Sequence, residues 1–206
     1  SPVRSRSSAR MDTAGALRGD PGAGLGDMGG VAICTLGDYW RPDRDERTEV
    51  GELVHQAKDR GDPGAASELA ERFACLAGNL PEADGVSPRL VIPVPSRPAP
   101  DGSDDGPHLA ERLAASLAAA GAGEYRPGLV VKGNPTPRLR HVDPEQRAEV
   151  AASAGYRARE PVAGRHIVVV DDVVLTGTTL NAVATCLRDA GAASVTAAVA
   201  ARTRLR

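Results

Sequence analysis

A chain of 206 residues with a formal charge of −2 and a hydrophobic fraction of 41% is sized for one domain with room for a tail. One Trp, one Phe and three Tyr dictate an aliphatic core and argue against stacking platforms for single-stranded nucleic acid, while the near-neutral charge argues against a broad phosphate-backbone surface. Cys34, Cys75 and Cys186 are far apart and form no CxxC, which disfavours a zinc ribbon or disulfide framework and fits buried thiols in a reducing, cytoplasmic setting, and no apolar run approaches the roughly 18 residues of a membrane span. In chain order, residues 1–30 are Ser/Arg-rich and then Gly-rich, and read as an unstructured leader or a mis-set start, with Met11 and Met28 as alternative first residues. The remainder, 31–206, reads as one domain.

Val31–Leu36 is expected to be a short strand. From Thr48 to Lys58 the apolar residues Val50, Leu53, Val54 and Ala57 fall at i, i+3, i+4 and i+7, an amphipathic helix. Gly61-Asp62-Pro63-Gly64 breaks it, and Ala66, Leu69, Ala70, Phe73 and Leu76 line a second helix. Together these make an N-terminal helical hairpin within a lead-in at 47–79. Leu90–Val94 is a buried strand entering a Pro-rich loop. His108–Ala120 is helical and Gly121 ends it. Leu129–Lys132 is another strand, 133–144 a polar loop and Glu145–Ala154 a helix.

Ile167–Val170 is four consecutive β-branched residues, the two-sided apolar run that a central parallel strand requires. Gly177–Ala190 is helical, Gly191 caps it and Ser194–Val199 is a further strand. Strands alternating with helices over 88–204 imply an α/β fold built on an open parallel sheet, which takes its ligands beyond the carboxyl ends of the strands.

The sharpest chemical signal is where the strand at 167–170 meets the helix after it. Two acids, Asp171 and Asp172, stand at the mouth of a turn holding Leu175, Thr176, Gly177, Thr178 and Thr179. A helix N-terminus offers unpaired amides and partial positive charge, the threonines add hydroxyl donors, and Gly177 lets the backbone approach an anion. A carboxylate only accepts hydrogen bonds, so the acid pair suits vicinal hydroxyls. The spacing therefore reads as a sugar-phosphate site. No GxxxxGK[ST] is present, and no GxGxxG opens a helix after a strand.

Val168 through Thr179 resembles the phosphoribosyl pyrophosphate (PRPP) signature of type I phosphoribosyltransferases, with Leu175 where the first Thr of the turn is usual. Val91-Ile92-Pro93-Val94-Pro95-Ser96-Arg97-Pro98 is similar to the pyrophosphate loop of the ComF-like (competence protein F-like) subgroup. The resemblance spans about residues 47–204. It implies a three-layer α/β fold that binds PRPP with Mg²⁺ and transfers ribose 5-phosphate to an unidentified small-molecule acceptor, releasing pyrophosphate. It assigns Asp171 and Asp172 to the ribose and the catalytic step, and Leu175, Thr176, Gly177, Thr178 and Thr179 to the 5′-phosphate. Ser96, Arg97, Lys132, Arg138 and Arg140 fall to the pyrophosphate and a mobile lid that also holds His141 and Arg147. No residue is expected to bind the metal directly, and homodimers are common in the family.

Two features depart from that subgroup. The cysteines of its N-terminal zinc ribbon are missing, and Asp104-Asp105-Gly106-Pro107-His108 replaces its Arg-Gly-Phe-Asn-Gln-like segment. The second departure removes a cation and favours the alternative reading, a non-catalytic PRPP or nucleotide sensor or a competence (DNA-uptake) accessory protein.

Overall fold

The computed structural model describes residues 24–27, 30–43, 45–82, 89–95, 108–133, 143–146, 149–150 and 155–203. The expectations that rest on 1–23, 96–107, 134–142 and most of the 145–154 helix lie outside these described residues.

Two strands open the fold, β1 (Gly24–Asp27) and β2 (Ala32–Asp38), paired antiparallel. Strand β1 falls inside the stretch expected to be an unstructured leader; its four residues gain backbone partners from β2 at the sheet edge, which composition does not reveal. Helix α1 (Glu49–Asp59) follows, with the Thr48 hydroxyl accepting from the Gly51 amide at 2.9 Å as its N-cap. Helix α2 (Pro63–Ala74) starts inside the segment read as a breaker. Asp62 caps the Gly64 and Ala65 amides, and Pro63 occupies the first turn, where a missing N–H costs nothing.

Next come β3 (Leu90–Pro93), α3 (Leu109–Leu117), the two-residue β4 (Glu124–Tyr125), β5 (Val130–Lys132) and β6 (Tyr156–Ala158). The chain closes with β7 (His166–Val174), α4 (Thr178–Asp189) and β8 (Ser194–Arg202).

Six strands form one sheet in the order β1-β2-β8-β7-β3-β4. All its neighbours run parallel except β1, so the expected parallel sheet is a mostly parallel, mixed one. Strand β5 is not part of it. It pairs antiparallel with β6 in a separate two-stranded ribbon, because the segment after α3 has already supplied the edge of the main sheet through β4.

Helices cover both faces, which makes three layers. On one side Val50, Val54, Leu69, Phe73, Leu113 and Leu117 pack over Cys34, Val91, Val168, Val170 and Ala198. On the other, Leu180, Val183, Ala184 and Leu187 of α4 pack over Ile33, Ile92, Ile167, Val169 and Val199. With Phe73 as its largest buried side chain, the interior is aliphatic.

One irregularity bears on the site. Along β7, Val168 and Val170 belong to the α1–α3 face and Ile167 and Val169 to the α4 face, the alternation of any strand. Beyond the acid pair the parity reverses, with Val173 on the first face and Val174 on the second. Strand β8 breaks step at the same level, placing both Ala200 and Ala201 on the α1–α3 face. The ladder keeps Asp171 opposite Val199 and Val173 opposite Ala201, while Asp172 has no rung.

Side chains take up the amides there: Asp171 accepts from the Asp172 amide at 2.9 Å, and Asp172 from the Val173 amide at 2.7 Å. In β2, Thr35 Oγ1 likewise accepts from the Gly37 amide at 3.2 Å.

Candidate functional site

The acid pair lies within β7 rather than after it, because the strand continues four residues past Val170. The irregularity turns both carboxylates into local hydrogen-bond acceptors without ending the strand. Asp172 is buried at 7% exposure and Asp171 is half-buried. Burial, reinforced by the neighbouring Asp172 charge and opposed by Lys58, pushes the Asp171 carboxyl up to about 7.

After Val174 the chain turns through Leu175–Gly177. Gly177 takes a left-handed φ of 73° as the N-cap of α4, a conformation that costs a Cβ-bearing residue about 1–2 kcal/mol. Leu175, Thr176, Thr178 and Thr179 are half-exposed, so the turn opens to the surface. Among the described residues, the backbone amides of Thr176, Gly177, Thr178 and Thr179 donate no hydrogen bond; the first intrahelical bond at this end runs from the Asn181 amide to the Gly177 carbonyl at 2.8 Å. The Thr176 and Thr178 hydroxyls are 2.6 Å apart. Unpartnered amides, two hydroxyls and the positive end of a twelve-residue helix thus share one short turn, an arrangement that favours a negative charge.

The Pro93-Val94-Pro95 segment leaves β3 beside the acids. Pro93 pairs with Val170, and the Val94 amide donates to the Val170 carbonyl at 2.8 Å. Ser96, Arg97, Arg138 and Arg140, with His141 and Arg147, lie outside the described residues. Lys132 is the last residue of β5, in the two-stranded ribbon rather than on the six-stranded sheet.

A residue that the motif does not contain completes the site. Lys58, in the last turn of α1, sets its Nζ 2.7 Å from the Asp172 carboxylate. Burial pulls this ammonium down, but the charge and hydrogen bond of Asp172, with smaller help from Asp171 and Asp59, outweigh it and hold the pKa above its usual value. Its side chain stays 45% exposed.

The placement follows from how α1 is anchored. The Thr48 hydroxyl donates to the Asp38 carbonyl at 2.5 Å, and Gly51 meets Tyr39 so closely that a Cβ would stand 2.0 Å from its carbonyl oxygen. Val50 and Val54 are buried on the sheet, and Lys58 is the next residue of the same i, i+4 stripe, which ends over Asp172. That stripe was readable in the sequence as an apolar line finishing in one of only two lysines.

Asp38 and Arg202, the last residues of the parallel strands β2 and β8, form a further ion pair at 3.1 Å at the carboxyl end of the sheet. Among the described residues, no group of three or more His, Cys, Asp or Glu is gathered to hold a metal ion, and no helix is long and apolar enough to cross a membrane.

Comparison with known proteins bears on this arrangement. No curated protein matches the chain. Among solved structures, the hypoxanthine phosphoribosyltransferase of Trypanosoma cruzi aligns at 17% identity over 77% of this chain and 71% of that one, with a TM-score of 0.37. The same enzyme in complex with its product IMP aligns at 17% identity over 73% and 61% of the two chains, TM-score 0.36. An HPRT with an invariant aspartic acid changed to glutamine aligns at 19% identity over 73% and 67%, TM-score 0.37. At TM-scores this low the likeness carries no argument about the site. The family model for the phosphoribosyl transferase domain matches residues 74–205, well over half of the chain and including β7, the turn and α4. With the open turn, its free amides and the adjoining acids in place, this chain belongs to the phosphoribosyl transferase domain family.

Proposed function

We propose that the chain binds PRPP and transfers its ribose 5-phosphate group to a small-molecule acceptor with release of pyrophosphate. The observation that carries this reading is the half-exposed turn after β7, whose amides from Thr176 to Thr179 have no partner among the described residues. A dianionic 5′-phosphate fits there, on Leu175, Thr176, Gly177, Thr178 and Thr179. The furanose then extends toward Asp171 and Asp172, which accept from its hydroxyls and place negative charge near the cation that develops at C1′ as pyrophosphate leaves. Asp171, whose carboxyl is pushed up to about 7 by burial and by the Asp172 charge, can when protonated also donate to a hydroxyl oxygen.

Ser96, Arg97, Lys132, Arg138 and Arg140 remain the cations and hydroxyl proposed for the pyrophosphate and lid. Mg²⁺ fits as an ion carried in on the substrate, since it keeps waters and phosphate oxygens as ligands. When bound, it neutralises the leaving pyrophosphate. A cytoplasmic site of action belongs to the same proposal.

The test is titration calorimetry with PRPP and Mg²⁺, joined to a pyrophosphate-release assay over a panel of nucleobases. Binding with release for at least one acceptor is expected. Binding without release for any acceptor favours the sensor reading, to which the acids at 104 and 105 point. No binding removes the proposal.

A further inference from the structure

The geometry points to Lys58 as a pyrophosphate-side cation, supplied to the sugar site by α1 and handed from Asp172 to the leaving group when the ribose hydroxyls arrive. This deepens the PRPP reading and rests on it. Its basis is separate: Lys58 lies before residue 74, outside the segment the family match covers, and no motif at the site includes it.

Three observations support the assignment. First, the ammonium is placed and not merely nearby. Thr48 and the Gly51–Tyr39 close approach anchor α1 at its start, Val50 and Val54 seat it, and the Nζ–carboxylate separation is 2.7 Å. Second, the carboxylate it holds is the one with the least access to water, since Asp172 is 7% exposed while the Lys58 side chain is 45% exposed. The acid end of the pair is buried, while the lysine side chain reaches solvent. Third, an ammonium has three donors, and Asp172 is the hydrogen-bond partner of Lys58 among the described residues, which leaves donor capacity for a further acceptor.

The chemistry of the substrate supplies the rest. In PRPP the carbon that bears pyrophosphate is bonded to the carbon that bears the 2′-hydroxyl. A diol seated on Asp172 therefore places the phosphate oxygens next to the atom that the diol displaces. The hydroxyls replace the ammonium on the carboxylate, and the released ammonium turns to the neighbouring phosphate oxygens. The exchange replaces the ammonium on Asp172 with neutral hydroxyl donors, which keep the carboxylate hydrogen-bonded while the ammonium forms a new charge-assisted bond to a phosphate oxygen.

The test compares PRPP with ribose 5-phosphate, which carries the same diol and 5′-phosphate but no pyrophosphate. Both are titrated, with Mg²⁺, into wild type, Lys58→Met, Lys58→Gln and Lys58→Arg. The expected result is a loss of at least about tenfold in PRPP affinity for the Met and Gln variants, with ribose 5-phosphate affinity unchanged within about twofold and the Arg variant retaining most PRPP affinity. An equal loss for both ligands makes Lys58 structural and overturns the assignment. So does tighter binding of both ligands, which makes it a plug, and so does unchanged PRPP affinity. The Gln variant, able to donate to Asp172 without charge, serves if the Met variant does not fold. Failure of the wild type to bind either ligand overturns the underlying PRPP reading instead, so the two failures are distinguishable.

Discussion

The Asp171 carboxylate accepts the backbone amide of Asp172 at 2.9 Å, so the two acids are locked together by a main-chain contact as well as by their charges. Asp171 is the member whose proton is held, its pKa raised from 3.8 to about 7 by burial and by Asp172.

The first prediction concerns pH. A carboxyl whose folded pKa exceeds its unfolded value binds more protons in the folded state between those two values, so its contribution is fully present below the unfolded pKa and is lost as pH rises through the folded one. Urea denaturation of the ligand-free protein should therefore show stability declining from about pH 4 toward pH 8, by an amount on the order of 1–3 kcal/mol from this group. Asp171→Asn should flatten that decline. An equal slope in the variant would assign the effect elsewhere.

Asp172→Asn removes the charge that holds Lys58 and one acceptor for the ribose hydroxyls. PRPP affinity should fall at least about tenfold by calorimetry, as a buried carboxylate–hydroxyl contact is lost. Unchanged affinity would move the diol away from this residue.

Much of this site was legible in the sequence. Four β-branched residues from Ile167 to Val170, two acids and a Thr/Gly turn located the strand and the switch to helix, and marked the turn proposed as the anion cradle. The irregularity at Asp172 was not legible, because it depends on β2, β8 and β7 skipping a rung at one level, a property of three strands together. Strand β5 misled for a related reason. Leu129–Lys132 has the composition of a core strand, and only the pairing of Glu124–Tyr125 with β3 reveals that the sheet edge was already taken. Lys58 was visible as the end of an apolar stripe, but 114 positions separate it from Asp172, and no local pattern connects them.

Gly177→Ala tests the turn. The left-handed φ of 73° should cost the variant about 1–2 kcal/mol in chemical denaturation. Ribose 5-phosphate affinity should fall by about tenfold, equivalent to one charge-assisted hydrogen bond. A variant that binds ribose 5-phosphate like wild type would place the phosphate elsewhere.

Gly51→Ala tests the anchoring of α1 at a distance from the ligand. The new methyl group would stand 2.0 Å from the Tyr39 carbonyl oxygen, so the helix must shift. Overpacking of this kind costs about 1–3 kcal/mol. The shift should also draw Lys58 off Asp172, which a crystal structure of the variant would show as a lengthened Nζ–carboxylate distance.

The family match begins at residue 74, and α1 lies wholly before it. A comparison restricted to the shared segment would find two carboxylates at the sugar end and infer a strongly anionic cleft, repellent to a polyphosphate. Folded, the chain offers a different balance: one carboxyl keeps its proton at mildly acidic pH and the other is countered by a lysine from outside that segment. Among the described residues, that pairing presents an incoming polyphosphate with less negative charge than two bare carboxylates would.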